Sequence, residues 1–296
     1  MIEIMSHPPF FLGRISRAGL AVFDIVNDLR LHVLFNYFLV VSWFLRSSKV
    51  SIQDSVDYAF VALSMATFAY LLNRYADYHY DLIADAGLKK APRSLYVVIS
   101  LASLAAATLF LIQRPSHMLP LVVGLVFGVL YSVKTIFPLP LKNYWFTKNL
   151  LAVSSKYLVT FGGVLLFVPF TETLFIRSIS MLVFYFIYEM LWDIRDMVAD
   201  KVGRVTTIPI LIGRKKTLLL CSFIGFSSLV LQVGVLNTTV YFYLKYIAVF
   251  FFIVSLIGVR HPRWFHAMTY VHLVLNLIFQ SNDEIFHYAW NAISFF

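Results

Sequence analysis

Acidic side chains are scarce in this chain, 15 in 296 residues, yet seven fall in two short stretches: Asp77, Asp81 and Asp85, then Glu189, Asp193, Asp196 and Asp200. The first stretch reads Asn73-Arg74-Tyr75-Ala76-Asp77-Tyr78-His79-Tyr80-Asp81. Steps of four set Asn73, Asp77 and Asp81 on one helical face, turn upon turn. The second reads Asp193-Ile194-Arg195-Asp196-Met197-Val198-Ala199-Asp200, where steps of three and four again give one face, extended backwards by Glu189. Like charges at these spacings repel and call for a counter-ion. Hard divalent cations with oxygen ligands meet that need, and Mg2+ commonly shares one or two carboxylates with substrate phosphates. Two such rows facing each other would hold Mg2+ against a diphosphate.

The elements that must position these rows are membrane helices. Apolar residues make up 60% of the chain and charged residues 13%, with a mean hydropathy of +0.80. A soluble domain of this length needs more charge to cover its surface. Apolar runs predict about nine spans, near 31–46, 57–76, 94–112, 118–133, 147–168, 174–192, 216–236, 240–259 and 264–280. Residues 1–29 read as an interfacial N-terminal segment and 281–296 as an aromatic interfacial tail, the whole forming a single domain. No cleavable signal peptide is expected.

Charge tests the topology. With the N-terminus inside, 17 Lys and Arg fall on the inner side and four on the outer, while Arg74, Lys156 and Lys245 lie within spans. That asymmetry predicts cytoplasmic Asp-rich segments and a C-terminus on the opposite side. The net charge of +9 is then a topology signal and not a sign of nucleic-acid binding. The single Cys221 excludes an intramolecular disulfide and a Cys-based metal cluster. A solvated helix end is the plain reading of either acidic stretch alone. Two matched stretches on one side, reaching membrane depth at Asn73, Glu189 and Asp193, favour function.

These residues carry a family resemblance. Asn73-x-x-x-Asp77-x-x-x-Asp81 resembles the first signature of the UbiA superfamily of intramembrane prenyltransferases, which includes UbiA-type terpene cyclases. Asp193 to Gly213, with its Thr207-x-Pro209-x-x-x-Gly213 ending, is similar to the second. Tyr131-Ser132 and Lys148-Asn149 also resemble family positions. The resemblance implies an all-α bundle around a central cavity, Mg2+ as cofactor and an isoprenoid diphosphate as substrate. It implies Asn73, Asp77, Asp81, Asp193, Asp196 and Asp200 as metal ligands, and Lys142, Lys148 and Arg204 as diphosphate-binding candidates. Asp77, Asp81, Asp193 and Tyr131 become the catalytic candidates. Mg2+ would neutralise charge on the leaving diphosphate, and π faces would stabilise the allylic cation. With 29 Phe, 17 Tyr and 5 Trp, aromatic lining is plentiful.

The sequence departs from the family pattern beside the site. Arg74 stands where many members have Asp, and the stretch Asp85 to Ser94 has Pro92-Arg93 in reversed order without a closing Gly. The metal-binding part is intact while the flank that bears on the acceptor is altered. Two enzymatic outcomes follow: transfer to an aromatic or other lipid-soluble acceptor, or cyclisation without one. A cation-coupled transporter is disfavoured, because its paired charges would sit near mid-membrane.

Overall fold

The protein is described by a computed structural model covering residues 17–84, 89–132 and 147–236, together with 266–274 except 268 and 272. The helices are α1 (Arg17–Asp28), α2 (Leu31–Ser47), α3 (Ile52–Ala76), α4 (Tyr78–Ala84), α5 (Arg93–Gln113) and α6 (Leu119–Ser132). They continue as α7 (Thr147–Leu165), α8 (Glu172–Val202), α9 (Ile208–Ile212) and α10 (Arg214–Leu236). No strand occurs among the described residues.

Local chemistry sets the ends of the two helices that carry the acidic rows. Ser51 caps α3, its Oγ accepting from the Asp54 N–H at 3.1 Å. Thr171 caps α8 in the same way from Leu174 at 3.2 Å, with Glu172 favourably placed in the first turn. At 31 residues, α8 is about 46 Å long, well beyond the roughly 30 Å of a hydrocarbon core. Some twenty residues suffice to cross, so α8 has about ten residues to spare beyond a single crossing.

Helix α3 is the hub of one half, with α2, α5 and α6 packed on it; α7, α10 and α4 pack on α8. Gly124 and Gly128, one turn apart on α6, permit its close approach to α3. A Cβ at either would come within 2.8 Å of Met65 Cβ or Ala69 Cβ respectively. On the other side, Tyr58 of α3 donates its hydroxyl to the Val159 carbonyl of α7 at 2.7 Å. Thr160 of α7 and Tyr185 of α8 share a hydrogen bond of 2.7 Å. The residues near the C-terminus close on the same core, with His266 against Trp192 and Tyr270 against His32.

Polarity is inverted relative to a soluble bundle. Ile112, Leu109 and Val98 on α5 and Leu219, Phe223 and Phe226 on α10 point outward, while Asp28, Arg74, Asp193 and Asp200 are buried. Four helical segments are long and apolar enough to cross a membrane: α3, α5, residues 115–132 and α8. Residues 21–28 with α2, bent by 46°, would make a fifth. The expected count of nine is therefore met only in part among the described residues. Helix α7 lies at the expected fifth span, but Lys148, Asn149 and Lys156 leave it more polar. The expected span 240–259 lies outside the described residues, as does most of 264–280.

Helix α1 differs from the expected interfacial segment in one respect. Its Asp24, Asn27 and Asp28 are buried, and Asp24 and Asp28 accept from the chain that leads into α5: Lys89 N–H to Asp24 at 3.1 Å and Ala91 N–H to Asp28 at 2.9 Å. Its polar side thus braces the protein.

Candidate active site

Both acidic rows open onto one cavity of about 780 Å³, lined by α2, α3, α4, α6, α7 and α8. Asn73, Asp77 and Asp81 enter from one wall and Asp193, Asp196 and Asp200 from the other. Asp77 closes α3 and α4 follows directly. The backbone bonds Asp77 N–H to Asn73 O at 2.8 Å and Asp81 N–H to Asp77 O at 2.9 Å carry the four-residue step across that break. The row read from the sequence therefore survives the end of its helix.

The second row is organised by an ammonium. Lys148 Nζ lies 2.8 Å from Asp193 Oδ1 and 2.9 Å from Asp200 Oδ1, joining two carboxylates two turns apart on α8. Asn149 donates to Asp193 Oδ2, and Tyr80 of α4 donates to Asp200 Oδ1. Burial above all, with Asp196 and Asp200 beside it, holds the Tyr80 phenol well above its ordinary range, so Tyr80 stays a donor. Asp196 is held by its neighbour Arg195 at 2.6 Å.

The first row meets a guanidinium. Arg74 lies 2.6 Å from Asp81 through Nη1 and reaches Asp28 of α1 through Nη2. Asp28 also takes Lys90 at 3.0 Å and the Tyr96 hydroxyl. Arg74 and Asp28 are 2% and 1% exposed, so this is a buried network of four charges. Arg30, with a left-handed backbone at φ 52°, lays its guanidinium over the Trp192 ring at 3.9 Å and lines the cavity as well.

Of the expected site residues, Tyr131 and Lys148 line the cavity with the two rows. Arg204 does not: it is exposed, with φ 55°, on the turn that leaves α8, while its neighbours Gly203 and Val205 line the cavity. Lys142 and Asp85 lie outside the described residues, as does the segment 133–146 with Pro138 and Pro140. Arg93, from the reversed Pro-Arg pair, stacks over Tyr75 and Tyr78 at 4.8 and 5.2 Å and does not line the cavity. Sequence reasoning missed Arg30, Tyr80 and the role of Asp28. Tyr80 had a signal, since it lies inside the first row; Asp28 had none beyond its charge.

The cavity's donors are mostly carboxylates. Lys148 is a monovalent stand-in between Asp193 and Asp200, and carboxylate and carboxamide oxygens suit Mg2+. Among the described residues no three acidic or His side chains converge tightly enough to cage a metal by themselves.

A family model described as the UbiA prenyltransferase family matches residues 34–271, a stretch that takes in both acidic rows. The chain belongs to this family. Two solved structures share the UbiA fold with it. One, of a digeranylgeranylglyceryl phosphate synthase, is 16% identical over 88% of this chain and 97% of its own, with a TM-score of 0.50. The other, a UbiA homologue from Archaeoglobus fulgidus bound to DMAPP and Mg2+, is 12% identical over 86% and 98%, with a TM-score of 0.57. No curated protein matches the sequence. UbiA membership and the outward apolar faces together make the chain an integral membrane protein.

Proposed function

We propose that this chain is a Mg2+-dependent intramembrane prenyltransferase that ionises an isoprenoid diphosphate and passes the prenyl group to an aromatic or other lipid-soluble acceptor. The observation that carries the reading is the convergence of two carboxylate rows on one cavity whose lining is otherwise largely apolar, the shape of a site for a charged head and a hydrocarbon tail. The Mg2+ and DMAPP bound by the Archaeoglobus fulgidus homologue support it.

Asn73 and Asp77 on one wall, and Asp193, Asp196 and Asp200 on the other, would hold the metal. Bound there, Mg2+ neutralises charge that builds on the departing diphosphate. Lys148 already sits at the carboxylates and offers ammonium donors to the phosphate oxygens; Tyr80 and Tyr131 add hydroxyls. Arg74 removes Asp81 from the open donor set by pairing with it, so Asn73 and Asp77 carry more of the first row. Of the aromatic rings that line the cavity, Tyr37 is the candidate to present a π face to an allylic cation, since Trp192 and Tyr70 already carry the Arg30 guanidinium at 3.9 and 5.5 Å. The positive-inside excess supports cytoplasmic acidic rows, the side from which a soluble diphosphate would enter.

Membranes containing the protein, given Mg2+ and allylic diphosphates of several chain lengths, test the reading. Transfer predicts a new prenylated lipid only where an acceptor is present. A hydrocarbon or terpene alcohol formed without acceptor would replace it by cyclisation.

A further inference from the structure

Beneath the carboxylate rows lies a second charged layer that the diphosphate chemistry does not use. Lys156 Nζ of α7 pairs with Glu189 Oε1 of α8, and both side chains line the cavity. Glu189 precedes Asp193 by one helical turn, about 6 Å, and Lys156 follows Lys148 by two, about 12 Å. The pair therefore sits deeper than the Lys148–Asp193–Asp200 bridge, towards the apolar part. Tyr131 lines the same cavity.

If a diphosphate occupies the upper level, its ester carbon lies further in, on the side of the cavity towards Glu189. An ion pair kept at membrane depth is expensive and marks function more often than packing. Nor is this one sealed away: the Lys156 side chain is 30% exposed and that of Glu189 15%.

We propose that Glu189, oriented by Lys156, is the general base that takes the proton released when the allylic cation is captured. The step balances. The carbon–oxygen bond of the allylic ester breaks, and its electron pair leaves with the diphosphate. A nucleophilic atom of the acceptor bonds to the cationic carbon, and the proton that same atom carried, on a heteroatom or on the attacked ring carbon of an aromatic acceptor, passes to the Glu189 carboxylate. Lys156 keeps its charge throughout and fixes the carboxylate that faces the cavity. The proposal rests on the prenyl-diphosphate reading above, and goes beyond it in separating the residues of ionisation from those of capture.

The test compares variants in membranes of the protein's own host, given radiolabelled geranyl, farnesyl and geranylgeranyl diphosphates, with pyrophosphate and labelled organic products counted separately. Glu189→Gln should leave pyrophosphate release within about threefold of wild type. Captured product should fall by about 10²- to 10⁴-fold, the usual reach of a general base, with prenyl alcohol accumulating as water intercepts the cation. Lys156→Arg should keep the wild-type ratio of product to pyrophosphate. The charge-free pair Lys156→Met with Glu189→Gln leaves no lone buried charge, is expected to fold, and should lose the ratio as the single variant does. A wild-type ratio in either Gln variant overturns the proposal, as does a wild type yielding pyrophosphate and prenyl alcohol alone. Equal loss of pyrophosphate and product in a folded Glu189→Gln protein also overturns it, by placing the residue in ionisation. Wild-type membranes that release no pyrophosphate from any of the three overturn the functional reading instead.

Discussion

Replacing Asp193 with alanine is expected to lower pyrophosphate release by about 10³-fold, at the upper end of what one oriented group contributes to charge stabilisation. Asp193 is 1% exposed and is held by Lys148 and Asn149, so its carboxylate is aimed before any substrate arrives. Removing it takes away a proposed metal ligand and also releases Lys148, which then follows Asp200 alone. Asp193→Asn separates the two effects. The amide oxygen still accepts from Lys148, but its NH2 then faces the Asn149 donor that Asp193 Oδ2 had accepted, so the melting temperature should fall, while the lost charge should slow release by about 10²-fold. Pyrophosphate assays of the two variants, beside thermal unfolding in detergent, check this. Release within tenfold of wild type in the alanine variant would remove Asp193 from the site.

Arg74→Ala should act chiefly on stability. It removes the guanidinium from Asp81 and leaves Asp28 with Lys90, Tyr96 and the Ala91 amide. Breaking a buried ion pair from one side costs about 3–5 kcal/mol, and the remaining donors on Asp28 place the expected loss near the lower figure. At a few degrees for each kcal/mol, the melting temperature should fall by on the order of 10 °C. Arg74→Lys should recover little, because one ammonium cannot fork to Asp28 and Asp81 together. The network ties α1, the approach to α5 and the first acidic row, so α1 should loosen with it. Hydrogen exchange in residues 17–28 reads that directly, and unchanged protection there would show that Arg74 does not hold α1 in place.

The rows themselves were legible because helical spacing and residue type are local properties. Asn73, Asp77 and Asp81 could be placed on one face without knowing where the helix led. The reach of α8 was not legible from hydropathy, which ends the span near 192 while the helix runs on to Val202. Hydropathy reads the membrane, and polar residues beyond it do not break a helix. Partnerships were hidden for a different reason. Asp28 with Arg74, Lys148 with Asp200 and Lys156 with Glu189 lie 46, 52 and 33 positions apart. No periodicity records such pairs. Arg74 was visible only as a departure from a family signature; the structure makes it the counter-charge of Asp81. Arg204 shows the reverse case, a cation in the right signature whose left-handed turn carries it to the surface.

The central claim, that the two rows form one Mg2+ and diphosphate site, is tested most directly by pyrophosphate release from the purified protein in detergent with allylic diphosphates. After treatment with EDTA, release should be undetectable, and it should return when Mg2+ is restored. Release that continues at its original rate in EDTA would contradict the claim.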